Sequence, residues 1–371
     1  MSDIYKKLMK SKALSDYVIT EKKAPEYIST NVITLNLLFS GRVRGGVAKG
    51  TMNMFSADSS LGKSFVGLSI LKEAQKIGME CVVIDAEKSF DHDWADNIGI
   101  NTDPKHLPVI QVSNIIDLKQ VVSTIADGKT RAEKKNTFIL FDSWGPLVTN
   151  VIMDKALSGK ETKDLSLPGW KNELANVMRE TDMTFFVINH VYDNTGGFGD
   201  PLKVPGGKRL YFNSQNIVLA VSKAKDKDSA GEIKGALITA MTQKGRDALE
   251  KAKLKYRIKH DGGLDAWYGL LPDALEHGCV VKPKNGYYSR AHIEDDNKHR
   301  ESQIYTADFW TSVFQNTDFE LYLNSKYRYS GTIDIAGTST LDLLGEQGTE
   351  AEKLQVAVHD DVDDILNDLE G

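Results

Sequence analysis

The stretch MNMFSADSSLGKS, residues 52–64, decides the fold. It opens as a β-rich run (MNMFSA, 52–57), breaks at small polar residues, and ends on Gly62-Lys63-Ser64. A strand, a tight loop and a helix start form the context that the phosphate-binding pattern G-x-x-x-x-G-K-[ST] requires. In that context the backbone from Ser59 through Ser60, Leu61, Gly62, Lys63 and Ser64 to Phe65 offers N–H donors to phosphate oxygens. Lys63 is expected to reach the β- and γ-phosphates of ATP, and Ser64 to hold Mg²⁺. Ala57 stands where the pattern has glycine, and a methyl group there narrows the allowed backbone.

Working outward, further short β-rich runs recur: ECVVIDAE (80–87), TFILFDS (137–143), TFFVINH (184–190), NIVLAVS (216–222) and ALITAMT (236–242). The first three of these are near-continuous apolar runs with polar ends, the mark of strands buried on both faces. Intervals of roughly 25–45 residues leave room for crossover helices. Helices are expected at Ser64–Lys76, Asp117–Ala126 and Trp170–Arg179. The fold class is therefore α/β with a mostly parallel central sheet, its functional groups at the C-terminal strand ends. LKYRIKH (254–260) puts Leu, Tyr and Ile on one face and basic residues on the other, as a half-exposed strand does. The expected organisation is an N-terminal helix and linker (1–30), the core (31–278), a small aromatic-rich C-terminal subdomain (279–330), and a linker with an acidic tail (331–371).

Those strand ends carry the candidate chemistry. Asp142 ends an apolar strand, where a carboxylate is costly unless it meets a cation or donors. It suits the Mg²⁺ shell beside Ser64, although a helix N-cap reads the same way. Asp85-Ala86-Glu87 ends the strand after the phosphate loop. Glu87 is a candidate base for the attacking water; Asp85 serves the site or its scaffold. Asn189-His190 ends the next strand, as a γ-phosphate sensor or as a satisfied core pair. The Gly-rich stretch 193–209 cannot pack as a regular element. It carries Phe198, Lys203, Gly206, Gly207, Lys208 and Arg209, and reads as a mobile segment on a phosphodiester backbone or as a plain surface loop.

Composition sets the outer limits. The chain has 371 residues, 41% hydrophobic and 26% charged, as ordinary globular proteins do. It shows neither an 18-residue apolar run nor an N-terminal apolar leader, so a cytoplasmic, non-membrane protein is expected. Cys81 and Cys279 sit far apart in apolar runs and read as free buried thiols. The six acids between Leu354 and Gly371 account for the whole net charge of −6. Residues 222–259 hold eleven Lys or Arg against five acids, so the chain is polarised between a basic region and an acidic tail.

Taken together and in this order, the motifs resemble the RecA family of recombination ATPases. HDGGLDAWYGLLPDALEHG (260–278) followed by VVKPKNGYYSR (280–290) is most similar to its phage branch, the UvsX-type recombinases. The resemblance covers roughly residues 30 to 290 and implies several roles. Glu87 matches the catalytic glutamate, and Asp91 and Trp94 match residues that hold adenine. Residues 154–166 match the first DNA-binding loop and 192–209 the second. His190 matches the position that couples the γ-phosphate to that second loop, where bacterial members have glutamine. Lys244 and Arg246 match basic residues that reach the ATP of the neighbouring subunit, although the turn they stand in reads equally as surface charge. The resemblance further implies that residues 1–25 dock on the next protomer and that the acidic tail restrains access to DNA. The implied protein is a DNA-dependent ATPase with ATP and Mg²⁺ that forms a helical filament on single-stranded DNA. It would pair that strand with homologous duplex DNA and exchange strands, served by a single-strand-binding protein and a loading mediator, in a host bacterial cytoplasm if phage-encoded. A hexameric helicase on the same core, and a recombination mediator that binds nucleotide without turnover, are the rival readings.

Overall fold

Apolar runs that bury both faces need neighbours on both edges, and the sheet supplies them. The computed structural model describes residues 2–11, 24–159, 164–193, 202–203, 207–228 and 230–329. Its main strands are β1 (Met52–Ala57), β2 (Glu80–Asp85), β3 (Val109–Ile110), β4 (Thr137–Asp142) and β5 (Thr184–His190). They continue with β6 (Ser214–Lys227), β7 (Ile233–Lys244), β8 (Lys253–Lys259) and β9 (Gly263–Leu264). These form a nine-stranded sheet in the order β9-β8-β7-β6-β1-β5-β4-β2-β3. From β6 across β1 to β3 every pairing is parallel. From β6 out to β9 every pairing is antiparallel. Helical crossovers accordingly serve the first half, and short turns suffice in the second.

Alternation along β5 shows how two cores form. Phe186 and Ile188 face one side, with Phe55, Leu140, Val66 and Ile70; Phe185 and Val187 face the other, with Phe141, Leu118, Leu174 and Met178. Each fully buried aromatic of this kind stabilises the fold by about 2–3 kcal/mol. The first side is covered by α1 (Ile33–Ser40) and α2 (Lys63–Lys76), the second by α3 (Ile115–Ala126) and α4 (Leu167–Glu180). The helix expected from Asp117 begins two residues earlier, because the Asn114 side chain accepts from the N–H groups of Ile116 and Asp117.

The chain beyond β9 adds a three-stranded sheet of Val280–Lys284, Tyr287–Arg290 and His299–Arg300, then helices Ala307–Asn316 and Phe319–Lys326. Phe309, Trp310 and Phe319 are buried in the same core cluster as Phe55 and Tyr256. Cys81 and Cys279 are free and buried, and burial pushes both thiols up to about 12. Among the described residues no helix is long and apolar enough to cross a membrane. Asp3–Lys10 is a helix capped by Ser2. Residues 12–23 of the expected N-terminal segment and the linker and tail from 331 on lie outside the described residues.

Candidate nucleotide site

The phosphate loop is shaped by three backbone facts. β1 delivers the chain to Ala57, which is buried and paired with His190 of β5 and Ala220 of β6. The left-handed positions come later, at Ser60 (φ +64°) and Gly62 (φ +75°). Ala57 is not among the left-handed residues, so the missing glycine costs the loop nothing at that position. Gly62 is the loop's left-handed glycine, and a side chain there is strained. A Cβ added there would lie 2.4 Å from Ile258 Cδ1, on top of the left-handed strain. Gly62→Ala should therefore weaken nucleotide binding about tenfold or more, from ~1–2 kcal/mol of strain alone. A fluorescent-nucleotide titration checks this, and wild-type affinity would refute it.

α2 begins at Lys63 and aims its free N–H groups into an open cleft of about 580 Å³. Ser59, Ser60, Gly62, Lys63, Ser64, Phe65, Glu87, Trp94, Asp142 and His190 all line it. The fold thus gathers the ends of β1, β4 and β5 and Glu87, two residues past β2, around one space. The Lys63 ammonium donates to the Asp58 carbonyl at 2.9 Å. Burial pulls its pKa below the usual value, and the carboxylates of Glu87, Asp142 and Asp58 work against that. Ser64 Oγ donates to Asp142 Oδ2 at 2.9 Å. Burial pushes the Asp142 carboxyl up to about 6, with Glu87 and Asp85 adding repulsion and Ser64 and Lys63 opposing. Glu87 fares differently. Burial disfavours its charge, yet hydrogen bonds from Ser143 Oγ and His190, and the charges of His190 and Lys63, hold its pKa below the usual value. His190 Nε2 lies 2.9 Å from Glu87 Oε1.

The arrangement suits a divalent cation only in company. Among the described residues no group of three or more His, Cys, Asp or Glu is arranged to hold a metal. Ser64 and Asp142 offer one hydroxyl and one carboxylate, which fits Mg²⁺ completed by phosphate oxygens and water. The rest of the cleft is apolar. The Phe65 and Trp94 rings lie 5.5 Å apart at 37°. Ala236, Ile238 and Ile258 line the same cleft, as do Lys223 and His260. An aromatic pair among aliphatic residues suits a flat base.

Five of these lining residues were not legible as site residues: Lys223, Ala236, Ile238, Ile258 and His260. They come from the antiparallel half, and no local motif marks them. Lys223 reaches the cleft through an irregularity in β6. Ala220 pairs with Ala240, but Ser222 pairs with Thr239, so Val221 is an extra residue. The bulge puts Lys223, instead of Ser222, beside Ile238 on the cleft side. Its ammonium donates to the Ser60 carbonyl at 2.9 Å.

Other expected site residues fall elsewhere. Leu61 is buried beneath the loop, its carbonyl accepting from Tyr256 Oη at 3.4 Å. Asp85 is scaffold, since its carboxylate accepts from the Ser89 and Phe90 N–H groups and from Gln111. Asp91 caps helix His92–Asn97 and borders a smaller cavity of about 210 Å³ behind the Ser64–Asp142 pair. Lys244 and Arg246 do not join this cleft. The Lys244 ammonium instead donates to the carbonyls of Tyr211, Phe212 and Ser214 at 2.8–2.9 Å. Gly207, Lys208 and Arg209 are exposed at the start of helix Lys208–Asn213. Of the first candidate loop, residues 154–157 are helical and 160–163 lie outside the described residues. Phe198 and Gly206 lie outside them too, and Lys203 is placed by its backbone alone, in a strand paired with Tyr192–Asp193.

Comparison with known proteins agrees with this geometry. The RecA N-terminal domain matches residues 1–264, and the C-terminal domain of the bacteriophage T4 recombination and repair protein matches residues 267–323. The recombination and repair protein of Enterobacteria phage T4 is 27% identical over 354 residues, 90% of this chain and 88% of that protein. RecA of Aquifex aeolicus is 26% identical over 292 residues, covering 77% of this chain and 81% of its own. RecA of Ruminococcus albus is 26% identical over 241 residues, 64% of this chain and 58% of that one. The family match runs through all four strands that deliver the cleft's polar groups and on through the bulged strand that closes it, so the chain belongs to the RecA family.

Proposed function

We propose that this protein is an ATP-dependent recombinase. It assembles on single-stranded DNA, pairs it with homologous duplex and exchanges strands, in recombination, repair and recombination-dependent replication. The observation that carries this reading is the Ser143–Glu87–His190 contact at the end of β5. It ties the candidate base for hydrolysis to the strand that leads, through Val191, into residues 192–209, the second candidate DNA loop.

The residues divide the work. Lys63 and the α2 N-terminus bind and orient the phosphates. Ser64 and Asp142 would hold a divalent cation, which would supply charge neutralisation at the phosphates. Glu87, kept ionised by Ser143, His190 and Lys63, accepts a hydrogen bond from the attacking water and orients it. His190 shares that carboxylate, so a change at the γ-phosphate side of Glu87 is felt at the start of the DNA segment. Phe65, Trp94 and Ile258 exclude water around the base. Lys244 and Arg246 are taken to complete a neighbouring subunit's site, which makes the filament the active form. A single-strand-binding protein and a loading mediator are the partners this reading implies, in the cytoplasm of the cell where the DNA is repaired.

A strand-exchange assay tests it. With ATP, Mg²⁺ and a single-stranded circle, exchange is expected with homologous duplex and not with heterologous duplex. ATP turnover without homology-dependent exchange would sink the recombinase reading and leave an ATPase of some other task.

A further inference from the structure

A half-buried ammonium gains from a nearby anion, and among the described residues none is paired with Lys171 on α4. Its Nζ donates to two main-chain carbonyls, Trp144 at 3.4 Å and Gly145 at 3.3 Å. Burial lowers its pKa, and among the described residues no carboxylate offsets that. Two long hydrogen bonds to carbonyls are the partners the described residues give its three donors.

Those carbonyls belong to the catalytic loop. Trp144 and Gly145 follow Ser143, whose hydroxyl donates to Glu87. The Trp144 N–H donates to the Ile188 carbonyl on β5 at 3.1 Å. A Cβ on Gly145 would lie 3.3 Å from His190 Cδ2, so this backbone is packed on the His190 ring. The residue after Lys171 faces a different region. Asn172 Oδ1 accepts the Arg209 N–H at 3.3 Å, at the start of the helix that exposes Lys208 and Arg209. One turn of α4 therefore holds the catalytic loop with one side chain and the basic helix start with the next.

We propose that Lys171 is a positioning residue that exchanges the Trp144 and Gly145 carbonyls for a phosphodiester of bound DNA, and that this exchange resets Ser143 on Glu87. The proposal rests on the recombinase reading. A compact ammonium fits a phosphodiester without reading bases. Lys208 and Arg209 beside it add to the local attraction for a polyanion.

The test uses full-length Lys171→Gln and Lys171→Arg with oligo(dT) as probe. Glutamine keeps a donor for the carbonyls and removes the charge. ATP turnover is measured with and without oligo(dT), together with the salt dependence of oligo(dT) affinity. For Lys171→Gln the ratio of stimulated to unstimulated turnover is expected to fall at least tenfold, with KM for ATP unchanged. The slope of log affinity against log salt should shrink by about 0.7, one phosphate contact on a single strand. Lys171→Arg should recover most of the ratio. A Lys171→Gln protein with the wild-type ratio and slope overturns the proposal and leaves the recombinase reading standing, as does an equal fall of both rates. A wild-type protein that oligo(dT) does not stimulate overturns both.

Discussion

Lys63→Ala should lower DNA-stimulated ATP turnover by about a hundredfold to a thousandfold, the scale seen when one donor to developing charge is removed. The reason lies in the balance of charge around the cleft. Glu87, Asp142 and Asp58 all act on Lys63, and each favours its charged form. Removing the ammonium leaves these carboxylates facing a polyphosphate with no fixed side-chain cation on their side. Lys223 stands across the cleft on the Ser60 carbonyl and cannot take its place without leaving that bond. Lys63→Arg should fail as well, because a planar guanidinium does not fit where a compact ammonium sits under the Asp58 carbonyl. Phosphate release under saturating oligo(dT) reads the effect, with a thermal melt to confirm folding. A folded Lys63→Ala protein with normal turnover would falsify the role assigned here.

Glu87→Gln should cost about 10²- to 10⁴-fold in turnover, the usual range for loss of a positioned proton acceptor. Affinity should behave differently. The amide keeps an acceptor oxygen for Ser143 and His190, so the loop geometry around Glu87 survives. It also removes a negative charge from beside Lys63 and Asp142. ATP binding is therefore expected to hold or tighten while hydrolysis fails, and single-stranded DNA should stay bound longer once ATP is added. Nucleotide titration, single-turnover hydrolysis and a DNA dissociation rate separate these effects. If affinity falls in step with turnover, Glu87 is a binding residue and the base lies elsewhere.

The parallel half of the molecule could be read from the chain because buried strands write continuous apolar runs and their polar ends mark the site. Gly62, Lys63, Ser64, Glu87, Asp142 and His190 were found that way. The antiparallel half was legible in part: the runs 216–222, 236–242 and 254–260 fall in β6, β7 and β8, but the full extent of the first two did not show. Its strands β6 and β7 extend past the apolar runs 216–222 and 236–242 into Lys- and Asp-rich ends, where cross-strand pairing overrides low strand propensity. Helix α1 was missed because seven of its residues, Thr34 to Ser40, are buried all round, which erases the amphipathic period. Asp85 shows the converse limit. Its spacing from Glu87 suits a catalytic pair, yet main-chain donors from Ser89 and Phe90 claim it, and nothing in the sequence announces them.

The bulge at Val221 has a genetic consequence. Loss of that one codon, in frame, removes the unpaired residue and leaves the pairs on both sides of it in register. Ser222 would still pair with Thr239, and Lys223 would still lie beside Ile238 on the cleft side. A three-base deletion at this point is thus absorbed by the bulge, and the cation stays at the cleft. In lineages descended from this gene, loss of one residue is tolerable at this bulge, where the pairing on either side does not depend on it.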